Sequence, residues 1–304
     1  MALDIHCLNL LRLGSKSGVQ YAETLTVGRP ALFLSDEELT GFLAAADLPH
    51  DAREMAALRA DGYCEPFLKR AFGARDIVSL DASPYQGAGL IHDLNEPLRP
   101  ERRFGAVLDF GCLEHVFNFP VAVTNVIGLC RPGGHLLHVL PANNWCGHGF
   151  YQFSPETFFS LYSARRGFRH TRVFLAEFDR PTKWFEVRNP LESGKRVNVI
   201  NRERTYLLVI TQKTEQAQSP LEHVPQQSDY VTVWQAAPTG ETSAAGAAPS
   251  VWRSLSRSSG LSALATAVRL PLRSFRSRVL GSRQALRAGR ADLTEIDVAS
   301  LVGR

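Results

Sequence analysis

Glu114 and His115 stand side by side after an apolar run, Phe104-Gly-Ala-Val-Leu-Asp-Phe-Gly-Cys-Leu-Glu-His-Val116, and a second histidine, His148, is flanked by Gly147 and Gly149. Imidazole exchanges protons near neutral pH, so either histidine suits general acid–base work. His148 is the preferred candidate base, because its glycine neighbours allow tight backbone conformations. Two aspartates, Asp81 in Ser79-Leu-Asp-Ala-Ser83 and Asp93 in Ile91-His-Asp-Leu-Asn95, follow β-rich runs. A carboxylate ending a strand can accept hydrogen bonds from both hydroxyls of a ribose. Asn143, Asn144, Tyr151 and Gln152 surround His148 and offer hydrogen bonds to acceptor hydroxyls. Plainer roles compete at every position: a helix cap or turn for Asp81, an Asx turn for Asp93, a backbone-bonded histidine for His115, and loop packing for the aromatics.

Alternating strands and helices position these groups. Glu23–Gly28, Asp76–Asp81, Gly89–His92, Phe104–Phe110, Leu136–Leu140, Arg172–Phe178 and Arg204–Thr211 read as seven strands. Helices are predicted behind Ser35, from Asp51 to Ala60, from Pro66 to Phe72, from Val121 to Cys130 and after Ser154. Serine caps and acidic first turns mark two of the starts, and Pro155 fits the first turn of the last. Pro132-Gly133-Gly134 breaks the chain before the fifth strand, and a polar loop of about 25 residues separates the last two strands. The pattern predicts an α/β fold: a doubly wound, mostly parallel, seven-stranded Rossmann-like sheet with one antiparallel strand. In such sheets ligands bind at the carboxyl ends of the strands.

The order apolar strand, Leu113-Glu-His-Val116, helix, Pro132-Gly-Gly134, and a strand ending in Pro141 resembles the second half of a class I S-adenosylmethionine-dependent methyltransferase. The resemblance covers roughly Glu23 to Thr211, most specifically from Asp81 onward. It implies S-adenosyl-L-methionine as cofactor and methyl transfer to an oxygen or nitrogen of a small-molecule or glycan-like acceptor. It also implies cofactor contacts from Gly28, Asp81, Asp93, the Leu94 amide, Phe110 and Gly111, and catalytic roles for His148 and His115. The first glycine motif departs from the family: Leu25-Thr-Val-Gly-Arg-Pro-Ala31 keeps one glycine, and Arg29 is a candidate partner for the cofactor carboxylate. Some small-molecule methyltransferases extend the pair to Glu-x-x-Glu-His and hold a divalent metal. Gly111 replaces the first glutamate here, so no metal is expected.

Composition sets the frame. The 304 residues, 44% hydrophobic and 21% charged, suit an ordinary globular protein. Five scattered cysteines without a Cys-x-x-Cys pair favour reduced thiols and a cytoplasmic setting. Asp4, His6 and Asn9 interrupt the amino-terminal apolar stretch, which argues against a signal peptide. The expected organisation is a methyltransferase-like domain over 1–213, a flexible linker over 214–250 and a basic, partly helical or disordered tail over 251–304. Nine arginines and no acidic residue between 251 and 290 fit a solvated tail, a helix peripheral to an anionic membrane or, less well, nucleic-acid contact. An alternative follows from the reduced glycine motif: a catalytically inactive methyltransferase-like module that docks on a membrane or partner through this tail.

Overall fold

The computed structural model describes residues 1–193, 197–228, 230 and 293–302. Strand β1 (Ala2–Leu3) leads into helix α1 (Ile5–Lys16), whose N-cap Asp4 accepts the His6 and Cys7 amides. Strand β2 (Glu23–Val27) is followed by β3 (Ala31–Leu32), which pairs with β1 in a small separate sheet. Helices α2 (Asp36–Ala45), α3 (Ala52–Leu58) and α4 (Glu65–Phe72) fill the long interval before β4 (Asp76–Asp81). A reciprocal Ser35–Glu38 capping box starts α2. Strands β5 (Leu90–Ile91) and β6 (Phe104–Phe110), helix α5 (Phe119–Leu129) and strand β7 (Cys130–Pro141) come next. Helix α6 (Pro155–Leu161), β8 (Phe168–Glu177), β9 (Lys183–Val187), the single turn α7 (Pro190–Ser193) and β10 (Thr205–Lys213) follow. The described chain closes with β11 (Leu293–Asp297) and α8 (Val298–Val302).

The large sheet runs in the order β11-β9-β8-β10-β7-β6-β2-β4-β5. From β5 to β7 every pairing is parallel, and β10 is antiparallel to both β7 and β8. The seven predicted strands are therefore present, with β10 as their one antiparallel member. Alternating side chains feed two cores, one on each face. Val107, Leu136 and Leu140 pack with α5 and α6, while Leu108, Leu137 and Val139 pack with α1, α2 and α4. Chain order reverses between β2 and β6, which puts the topological switch point there.

Four features correct the expectation. Nine strands form the sheet, not seven: β9 lies within the supposed polar loop, and its Trp184, Phe185 and Val187 are buried on both faces. Strand β7 continues through Pro132-Gly133-Gly134, and a register shift between Phe104 and Ala106 absorbs the irregularity. Residues 214–228, expected to open a linker, lie against α6 and the start of β8. Thr214 N donates to Gly167 O, Gln218 N to Arg166 O, and Ser228 donates through backbone and hydroxyl to Glu156 Oε1. Hydrogen bonds hold much of this segment, with Ala217 against the core and Pro220 buried, so its mostly polar composition concealed it. The last described residues do not hang free as tail: β11 pairs with β9, and Val298 and Val302 are buried beside α1.

The arginine-rich stretch 251–290, with its expected membrane or nucleic-acid contacts, lies outside the described residues. Among the described residues, no helix is long and apolar enough to cross a membrane. Leu293→Ala in the full-length chain is expected to lower the unfolding free energy by about 2 kcal/mol in urea denaturation. No change would mean that the carboxyl-terminal strand does not pair in solution.

Candidate active site

The site is built on the ends of β2, β4, β6 and β7. Asp109, the penultimate residue of β6, is fully buried. Its Oδ1 accepts the amides of Cys112 (3.1 Å) and Leu113 (3.4 Å), which fixes the single 3-10 turn Leu113–His115. Its Oδ2 meets His138 Nδ1 at 2.9 Å, and His138 Nε2 meets the Tyr162 hydroxyl at 2.8 Å. With Asp109 ionised, Nδ1 donates to it and the tyrosine hydroxyl donates to Nε2. Sequence reasoning missed all three residues. The available signal was His138 at a core position of the alternating run Leu136-Leu-His-Val-Leu140.

The 3-10 turn presents Glu114 and His115 in opposite surroundings. Glu114 is 1% exposed. Neither of its carboxylate oxygens accepts a hydrogen bond among the described residues. Burial first, and then the Asp109 charge, push its carboxyl up to about 8. His115 and His148 lie over it, each nearly half exposed, with Nε2 atoms 3.7 and 3.5 Å from Glu114 Oε1. Their ring centroids are 5.2 Å apart. Burial holds both imidazoles below their usual pKa; His148 adds to the effect on His115, and the amino terminus and Arg204 add to it on His148.

His148 reaches Glu114 because the loop after β7 docks on the Glu114 backbone. The Phe150 and Tyr151 amides donate to Glu114 O at 2.8 and 3.2 Å. Gly149 permits the approach: a Cβ there would lie 2.8 Å from Glu114 O and 3.1 Å from Glu114 Cγ. The four expected acceptor ligands serve this loop instead. Asn143 Nδ2 donates to Val199 O and Asn201 Oδ1, and Asn144 Nδ2 donates to Asn201 and Glu203 carbonyls. Gln152 Oε1 accepts the Trp145 amide, and the Tyr151 hydroxyl donates to Phe117 O. These bonds close a long loop, so the expectation that all four face an acceptor is corrected.

The expected cofactor residues divide as well. Gly28 has φ +74° at the end of β2, and the Met1 thioether packs directly on it: a Cβ would meet Met1 Sδ at 1.8 Å. Gly111 follows β6 with φ +84°. Asp81 is half-buried at the end of β4, where its Oδ1 accepts a long 3.3 Å hydrogen bond from Ser83 N. Asp93 is exposed and forms the Asx turn, accepting the amide and side-chain N–H of Asn95, which hold its carboxyl below the usual range. The side chains of Leu94 and Phe110 are buried in the two cores. Arg29 does not reach toward a ligand. Its guanidinium binds Glu65, Asp61 and the Gln86 carbonyl and stacks on Tyr63, bracing the loop after β4.

No family model and no curated protein matches the chain. Solved structures do resemble it. One is Burkholderia thailandensis 1,6-didemethyltoxoflavin-N1-methyltransferase with 1,6-didemethyltoxoflavin and S-adenosylhomocysteine bound: 18% identity, TM-score 0.36, 69% of this chain and 79% of that one. The N-methyltransferase NodS of Bradyrhizobium japonicum is similar at 14% identity and TM-score 0.38, over 69% and 94% of the two chains. Haemonchus contortus phosphoethanolamine N-methyltransferase 2, in complex with phosphomonomethylethanolamine and S-adenosylhomocysteine, is similar at 11% identity and TM-score 0.40. That likeness covers 68% of this chain, which spans about half of the Haemonchus protein (53%).

Tyr162→Phe leaves His138 Nε2 buried without its partner and is expected to cost about 1–3 kcal/mol of stability in chemical denaturation. Gly149→Ala is expected to cost a similar amount, about 1–3 kcal/mol, because the neighbour it meets is backbone and yields only by moving the loop.

Proposed function

We propose that this chain is an S-adenosylmethionine-dependent methyltransferase acting on an oxygen or nitrogen of a small-molecule or glycan-like acceptor. The observation that carries this reading is the convergence of Gly28, Asp81 and Gly111 at adjacent strand ends around the switch point. The residues present suit the cofactor: the open backbone at Gly28 already accommodates a methionine thioether, that of Met1. When bound, the cofactor supplies an electrophilic methyl group on sulfur.

The remaining work falls to side chains of this chain. In this reading Asp81 would accept both ribose hydroxyls, and Asp93 with the Leu94 amide would meet the adenine. His148, neutral at physiological pH because burial lowers its pKa, would take a proton from an acceptor held in line with the methyl group. His115 stands beside it on the rigid turn. Glu114 supports both from below rather than touching the acceptor. The same Met1 contact favours one other reading, an inactive binding module, since Met1 must move before a cofactor methionyl group can reach Gly28.

Calorimetric titration of the full-length chain with S-adenosylmethionine and S-adenosylhomocysteine separates the two. Saturable binding that Asp81→Ala weakens by about 10-fold or more, the loss of one charge-assisted contact of roughly 1.5–3 kcal/mol, is the expected result. No binding by the folded chain would reject the enzyme. Once an acceptor is found, His148→Ala is expected to reduce kcat while leaving cofactor affinity nearly unchanged; equal loss of both would make His148 structural.

A further inference from the structure

We propose that Glu114, His115 and His148 form a binding site for one divalent transition-metal cation at the floor of the cleft. Three observations point the same way. One ligand atom from each residue lies within 4.8 Å of the others, and Glu114 Oε1 is 3.7 and 3.5 Å from the two Nε2 atoms. Ligands about 2.0–2.2 Å from a tetrahedral zinc-like ion stand roughly 3.3–3.6 Å apart, so little movement would close the set around an ion. The carboxylate is buried and both of its oxygens lack a hydrogen bond among the described residues. A buried polar group in that condition is costly unless something positive completes it.

The third observation is the effort spent on holding the carboxylate in place. Asp109 pins the turn that carries Glu114 and His115, and Gly149 lets the loop bearing His148 descend onto the Glu114 backbone. The result is one buried oxygen ligand beneath two imidazoles that open to the cleft. Two imidazoles and a carboxylate suit zinc, manganese, iron, cobalt or nickel better than calcium or magnesium, and no thiolate belongs to the set. The missing first glutamate of the extended Glu-x-x-Glu-His motif therefore does not exclude a metal. The third ligand comes from the loop after β7, which sequence spacing could not join to the pair.

With three protein ligands the ion would keep open positions facing the cleft. There it would polarise the acceptor heteroatom and lower its pKa, so that the proton leaves to solvent water and His148 serves as a ligand rather than as the base. This mechanistic consequence rests on the methyl-transfer reading; the site itself does not.

Metal binding is therefore measured directly. The metal-stripped full-length chain is titrated with Co2+ and followed by visible d–d absorption and by calorimetry. One equivalent is expected to bind. His148→Ala, a change at an exposed side chain, and Glu114→Gln are each expected to weaken it by at least about 10-fold, the effect that even an outer-sphere partner can have. Cys146→Ser, which removes the exposed thiol two residues from His148, and Asp81→Ala are expected to retain it. Saturable binding with this pattern supports the site whether or not S-adenosylmethionine binds. No saturable binding by the folded chain, binding that survives both ligand variants, or a thiolate charge-transfer band lost in Cys146→Ser would each overturn it. Should Glu114→Gln fail to fold, His148→Ala alone decides.

Discussion

The Asp109 carboxylate is buried at the end of β6 and satisfies partners in two directions. One oxygen holds the amides that start the Leu113–His115 turn, and the other holds His138 of β7, which in turn reaches Tyr162 after α6. An ionised group this deep is tolerable only when its acceptor capacity is used. The geometry of the cleft inherits that requirement. If Asp109 were unpaired, the turn carrying Glu114 and His115 would lose its anchor on the sheet. The same charge disfavours ionisation of Glu114, so two carboxyls lie close together in opposite conditions: one fully bonded, the other without a hydrogen bond among the described residues.

Close backbone approach is the second constraint. The cleft forms where a glycine, lacking a Cβ, lets a segment far away in sequence come close. Met1 lies on Gly28, and the loop after β7 lies on Glu114 at Gly149. The loop is then held from outside by polar side chains turned inward, with Asn143 and Asn144 tied to the segment before β10 and Gln152 to Trp145. Residues with acceptor-binding chemistry are thereby consumed as struts. His148 is left exposed among them, above the buried Glu114 carboxylate.

Elements from both ends of the described chain add to the domain: a helix on one face of the sheet and a strand at its edge. Helix α1 packs near β7, β10 and α8, and β11 extends the sheet beyond β9. The domain thus reaches past the expected boundary at residue 213. Neither addition was legible in the sequence. The amino-terminal apolar stretch is interrupted by Asp4, His6 and Asn9, and Leu293-Thr-Glu-Ile-Asp297 is a short edge strand with few apolar positions. Edge strands are held largely by backbone hydrogen bonds, which leave little trace in side-chain pattern.

The sequence by itself determined that seven strands occur and that all but one run parallel, because apolar runs, caps and breakers are local signals written in adjacent residues. It also identified Gly28, Asp81, Gly111, Glu114, His115 and His148 as residues near strand ends. Tertiary structure alone decided what each does. It turned Arg29, Asn143, Asn144, Tyr151 and Gln152 inward as braces and put the Phe110 and Leu94 side chains in the cores. It also joined Asp109 to His138 and Tyr162, and brought His148 onto Glu114. These outcomes depend on distances between segments tens of residues apart, set by sheet register and by the few places where backbone can touch backbone.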